Sequence, residues 1–257
     1  MMKKNRFKVM GILLLFCLLL SGCSRNWKNY FHTEESLKRE AEKALEEKYN
    51  EEFVTLNVWI KNQTTFYAVC SPEKDRNILF QAQVYKDGRG IYEDMYVQGA
   101  VDKQIQEKLQ MDLQPFFGKC FVQADLFYNE TDFDNVSVVT MEDYVQAVPN
   151  GKCFVYVIID ESEISTSTIQ SEYEYFSKTL LKEIEEKKIP ELTIHLYMVD
   201  NELMKWCKDY FKVNTEETWE FTKAVDDFHN FGFGYLDGKF NKTLEEYTKL
   251  RMEEVNK

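Results

Sequence analysis

The chain has 257 residues, 44 of them acidic against 32 Lys and Arg, for a formal net charge of −12. That balance argues against a nucleic-acid partner, because binding a phosphate backbone needs basic patches that displace counterions. At 44% hydrophobic and 15% aromatic residues the chain is too apolar for a disordered acidic segment, which leaves a folded body of one or two domains.

The first eight residues carry Lys3, Lys4, Arg6 and Lys8 and no acid, and Val9 to Leu20 follow without a charge. A cationic segment before an apolar one reads as an export signal. The apolar run is 12 residues long, short of the roughly 20 that cross a bilayer. Leu20-Ser21-Gly22-Cys23 comes directly after it. These four residues resemble the lipobox of bacterial lipoproteins, in which an aliphatic residue and two small ones precede the cysteine. The resemblance implies cleavage by signal peptidase II between Gly22 and Cys23 and a diacylglyceryl group on the Cys23 sulfur. The alternative is an ordinary secretory signal with a chance cysteine. Two acyl chains, at about 0.8 kcal/mol per buried CH₂, hold a protein stably on a membrane where one does not. Residues 1–22 are thus expected to be the signal, and 23–33 a tether at the extracytoplasmic face of the cell membrane. Its stretch "SRNWKNYFHT" reaches at most about 35 Å, with Trp27, Tyr30 and Phe31 either at the headgroups or packed on the body. Losing the four signal cations takes the net charge from −12 to −16. Such a body is repelled by anionic lipid, so the acyl group is expected to hold it down.

From Thr33 the positions Leu37, Ala41, Ala44, Leu45 and Tyr49 predict a helix to about Asn50. Strands are expected at "FVTLNVWI" (53–60), "QTTFYAVC" (63–70) and "ILFQAQVY" (78–85), with Asp87 to Gly90 as a loop. Val101, Ile105, Leu109 and Leu113 predict a second helix that Pro115 stops, completing an α-β-β-β-α unit over 34–117. In 118–257 the segments "CFVQADLFY" (120–128) and "VSVV" (136–139) read as strands, and Thr140 with Asp143 as the cap of a short helix to Ala147. "CFVYVIID" (153–160) is apolar on both faces, as in a central strand. Ser167 and Gln170 read as a capping box for a long helix striped by Ile169, Tyr173, Phe176, Leu180 and Ile184. "LTIHLYM" (192–198) is a strand, Asp200 caps a short helix through Cys207, and "NKTLEEYTKLRMEE" closes the chain as a helix. The strand, helix and strand between 153 and 198 suit a crossover between parallel neighbours. The stretch 218–232 fits strand and helix alike. The expected class is α+β: a helix-covered antiparallel sheet followed by a mixed β-α-β-α half, which can pack as one body. "ALEEKYNEEFV" (44–54) resembles the opening of uncharacterised exported lipoproteins of Gram-positive bacteria, a likeness that implies an envelope location and no activity.

Cys70, Cys120, Cys153 and Cys207 remain in the mature body, where an extracytoplasmic setting permits disulfides. Gly-Lys-Cys-Phe-Val occurs at 118–122 and again at 151–155, so Cys120 and Cys153 each open a strand and are the candidate disulfide pair; the favoured alternative is buried free thiols. There is no nucleophile elbow, phosphate loop, H-E-x-x-H or C-x-x-C. His195 shares a strand face with Thr193 and Tyr197 and reads as structural before catalytic. Asp227 with His229 is too small a set for a metal, and Asp125, Glu130, Asp132 and Asp134 lack the EF-hand spacing, so no metal or cofactor is expected. Phe231, Phe233 and Tyr235 alternate with glycines: they form either an aromatic platform for a peptide or glycan, or a buried stripe beside bare backbone. The leading expectation is a non-enzymatic binding or scaffolding module of the cell envelope with an unidentified protein, peptide or glycan partner. The rival is a hydrolase assembled around His195 or His229. A transporter's solute-binding lipoprotein would share the anchor but should show repeated β-α-β units.

Overall fold

The computed structural model describes residues 32–127, 139–147, 152–163, 165–187, 191–215, 219–225, 229–236 and 239–255. Helix α1 (Glu34–Tyr49) begins where the Thr33 hydroxyl accepts from Ser36 N at 3.2 Å and ends at Asn50, whose φ of 54° turns the chain. Four strands follow, β1 (Phe53–Ile60), β2 (Thr65–Pro72), β3 (Phe80–Tyr85) and β4 (Ile91–Asp94), in an antiparallel sheet of that order. The expected three-strand unit therefore gains a short fourth strand, held by pairing with β3 and by Tyr85 N donating to Gly90 O at 3.1 Å.

Helix α2 (Tyr96–Phe117) passes through Pro115 and stops at Gly118, whose φ of 58° suits glycine. The proline sits in the last turn, where the helix needs few further bonds, so it does not end the helix as expected. The second sheet has the order β5-β6-β7-β8-β9, from β5 (Cys120–Phe127), β6 (Lys152–Asp160), β7 (Glu191–Val199), β8 (His229–Leu236) and β9 (Lys239–Phe240). Among the described residues only β6 and β7 run parallel. Their crossover contains α4, which is α-helical over Ile169–Glu174, π-helical over Tyr175–Leu180 and α-helical again over Leu181–Lys187.

The remaining helices are α3 (Met141–Ala147), α5 (Asn201–Tyr210), α6 (Trp219–Val225) and α7 (Leu244–Val255). Thr140 and Asp143 cap α3 reciprocally, and the Asp200 carboxylate accepts from Leu203 N at 2.7 Å to cap α5. Ser165, not Ser167, caps the short 3₁₀ turn that leads into α4. The ambiguous stretch resolves into α6 followed by the start of β8. The expected strand at 136–139 falls mostly outside the described residues.

The protein is α+β. One core lies between the first sheet and α1, with Phe53, Phe66, Phe80 and Tyr96 at its centre. A larger core fills one face of the second sheet beneath α2, α4 and α7, and an aromatic cluster under α5 and α6 fills the other. Helix α2 belongs to both halves: Tyr96 is buried in the first core, while Val101 to Phe117 are buried in the second.

Candidate functional site

Strand β5 is an edge strand, and an exposed edge invites pairing with other chains. Here α2 covers that edge with one polar stripe, Gln98, Asp102, Gln106 and Gln110, spaced four residues apart and so on one helix face. Gln98 Nε2 donates to Leu126 O, Asp102 Oδ1 accepts from Leu126 N at 2.9 Å, and Gln106 Nε2 donates to Ala124 O at 3.3 Å. Gln110 accepts from Val122 N and donates to Cys120 O, both at 3.1 Å. The rise of four helical residues, about 6 Å, nearly matches two strand residues at about 3.4 Å each, so the stripe stays in step with the ladder.

The same contact builds one wall of a groove of about 650 Å³ between the two sheets. Lys103, Gln106 and Gln110 of α2 line it beside Phe121 and Gln123 of β5. Leu56, Ser71, Arg76 and Leu79 of the first half close one side, and Lys208, Phe211 and Lys212 the other. Phe121 and Phe211 lie 6.1 Å apart between ring centroids and form an apolar floor.

The cations of the groove differ in how they are neutralised. Lys103 contacts Asp75 at 2.8 Å and Glu107 at 3.2 Å, Lys212 contacts Asp209 at 2.7 Å, and Arg76 pairs with Glu73. Lys208 is half-buried, and among the described residues it has neither an ion-pair nor a hydrogen-bond partner. The nearby Cys120 accepts from Gln110 Nε2 at 3.3 Å. Burial pushes its thiol pKa up, and the Gln110 hydrogen bond and the Lys208 charge only partly oppose that. Cys120 is therefore a protonated thiol at neutral pH, not an activated nucleophile.

The residues singled out from the sequence lie elsewhere. His195 stacks on Tyr156 and Tyr197, at 5.9 and 6.2 Å, and faces Gly232, where a Cβ would lie 3.1 Å from the imidazole. Phe231, Phe233 and Tyr235 are only 6%, 1% and 2% exposed and pack into the larger core, where Tyr235 donates its hydroxyl proton to Phe176 O at 2.6 Å. They form no platform, because the sheet turns them inward and presents the glycines on the other face.

Cys120 and Cys153 are both free and buried. Their strands are neighbours but antiparallel, so Cys120 pairs with Ile159 and Cys153 with Leu126. Six residues at about 3.4 Å each put them some 20 Å apart, far beyond disulfide reach. Asp227, Glu130, Asp132, Asp134 and the His229 side chain lie outside what the structure describes. Among the described residues no three His, Cys, Asp or Glu side chains gather as metal ligands. The groove itself was missed because it joins three segments distant in sequence; its one local signal is the pair Lys208 and Lys212, a helical turn apart.

No family model matches the chain, and no curated protein does. A crystal structure of a DUF5037 family protein from Ruminococcus gnavus ATCC 29149 matches with a TM-score of 0.68 at 19% identity, covering 84% of this chain and 99% of that one. The likeness is one of fold. At 84% of this chain it extends over both halves.

Proposed function

We propose that this chain is a lipid-anchored binding module on the extracytoplasmic face of a bacterial membrane, and that the groove between its sheets takes an anionic ligand with a flat apolar body. The observation that carries the ligand class is Lys208. Lys208 lies half-buried at the groove, and among the described residues its charge has no ion-pair partner, so an anion entering the groove supplies the missing counter-charge. Phe121 and Phe211 supply apolar contact, and the carboxamides of Gln106 and Gln123 border the same space with polar groups. The combination of an apolar floor with a few placed polar groups is that of a small-ligand site. The anchor rests on Leu20-Ser21-Gly22-Cys23 and the cationic and apolar segments before it. It is consistent with the finding that no helix among the described residues is long and apolar enough to cross a membrane.

A titration of ¹⁵N-labelled protein with benzoate, which joins a carboxylate to a ring, tests the site. Shifts are expected at Phe121, Gln123 and Lys208 and are lost in Lys208→Glu. Shifts that are absent, scattered or unchanged in that variant contradict the reading.

A further inference from the structure

The end of the first sheet opposite the groove carries a different surface. The β1–β2 and β3–β4 hairpins lie side by side there, since Thr65 pairs with Tyr85 and Lys86 N donates to Thr64 O at 2.9 Å. Trp59, Ile60 and Tyr92 are exposed, Ile60 by 61% and Tyr92 by 55%. Lys61 holds its ammonium 4.5 Å from the Tyr67 ring, and Arg89 its guanidinium 4.0 Å from the Tyr85 ring.

The two loops, residues 61–64 and 86–90, contain Lys61, Lys86 and Arg89 against one acid, Asp87, a net charge of +2 on a chain of −12. Asp87 pairs with Arg89 at 2.8 Å. Glu93 lies on the neighbouring strand opposite Gln83, and the Glu40 carboxylate lies beside Gly88. Exposed aromatics flanked by Lys and Arg are the composition of a membrane interface, and the local positive charge complements anionic lipid even though the body as a whole does not.

The chain also enters at this end. Helix α1 runs antiparallel to β1, with Thr55 Oγ1 donating to Lys38 O at 3.2 Å and Tyr49 meeting Phe53 at the far end. His32 therefore starts on the hairpin side. Cys23 and His32 are only nine positions apart in the chain, a reach of at most about 32 Å, which keeps this surface at a high effective concentration near the bilayer.

We infer that the hairpin end of the first sheet docks on the headgroup layer of an anionic phospholipid bilayer, with Trp59 and Ile60 at the interface and Lys61, Lys86 and Arg89 against lipid phosphates. The inference rests on the Cys23 anchor proposed above. It gives the protein an orientation: the groove, which opens beside Ser71 and Arg76 at the other end of β2, faces away from the membrane.

The test uses the full lipidated protein reconstituted in vesicles of phosphatidylglycerol and phosphatidylcholine, with a spin label at Ile60→Cys or, for comparison, at Val213→Cys; the four body cysteines are buried. The label at 60 is expected to be several-fold less accessible to an aqueous relaxation agent than the label at 213. Lys61→Glu/Lys86→Glu/Arg89→Glu should return it to water while the protein still floats with the vesicles. Equal accessibility at 60 and 213 in protein that floats overturns the docking and leaves the anchor standing. Protection at 60 that survives the triple substitution overturns it too, because another contact then covers the surface. Protein that does not float overturns the anchor, and the docking with it.

Discussion

Glu172 and Arg251 form a buried bidentate ion pair that ties the crossover helix α4 to the last helix α7. Arg251 Nε lies 2.8 Å from Glu172 Oε2 and Nη2 lies 3.0 Å from Oε1, with side chains 1% and 0% exposed. Tyr247 donates to Oε2 at 3.1 Å and Thr168 to Oε1 at 2.6 Å. Both carboxylate oxygens are thus used twice, which is the condition for a buried charge pair to be tolerated.

Arg251→Met leaves the Glu172 carboxylate buried without its counter-charge. The expected loss is about 3–5 kcal/mol, read from urea unfolding. Glu172→Gln combined with Arg251→Met is expected to recover much of it. A loss below about 1 kcal/mol for the single variant, the level of a surface pair, would show that the pair is solvated.

Gln110→Ala removes both partners of the β5 edge at Val122 N and Cys120 O. Leaving such groups unsatisfied is expected to cost about 1–3 kcal/mol. The uncovered edge should also raise self-association, visible in light scattering before any loss of secondary structure. A stable, monomeric Gln110→Ala protein would mean that α2 is not what guards the edge.

Asp102 gives the fold a pH dependence. Burial, with the Asp125 carboxylate adding to it, pushes its pKa well above the usual carboxylate range. In the folded protein Asp102 holds its proton more tightly than in the unfolded chain, so its contribution to stability is present below the ordinary Asp pKa and is lost as pH rises through the raised one. Asp102→Asn keeps an acceptor for Leu126 N without the charge. It is expected to be more stable than the parent at neutral pH and to flatten the decline of stability from mildly acidic to neutral pH. An unchanged pH profile would contradict this placement of the carboxyl group.

Gly99 lies where α2 meets the first sheet: a Cβ there would run into the Leu79 carbonyl oxygen and sit 2.9 Å from Phe80 Cβ. In an ordinary helix Gly→Ala is stabilising by about 1 kcal/mol. Here it is expected to destabilise by about 1–3 kcal/mol, so the sign of the change in a thermal or urea melt decides.

Elements whose signals are local were readable in the residues. Thr33 and Asp200 announce helices through their caps, and the doubly apolar run 153–160 announces a strand covered on both faces. The repeated Gly-Lys-Cys-Phe-Val marks two strand starts, but not that the strands run in opposite directions, which is why the disulfide alternative fails while the favoured reading, buried free thiols, holds. β4 has one inward apolar residue, Ile91, and exists through its partner. The stripe Gln98, Asp102, Gln106, Gln110 looks like a solvated helix face until β5 is seen as an edge strand, and Glu172 and Arg251 are 79 residues apart. Lys208 gains meaning only from the groove, whose walls come from β1, the turn after β2, α2, β5 and α5.

The central claim, a binding module held at the membrane through Cys23, is tested most directly by mass spectrometry of the N-terminal peptide of the mature protein from its native membrane. The expected result is a chain beginning at Cys23 with a diacylglyceryl group on the sulfur. An unacylated N-terminus, or one at any other residue, would contradict it.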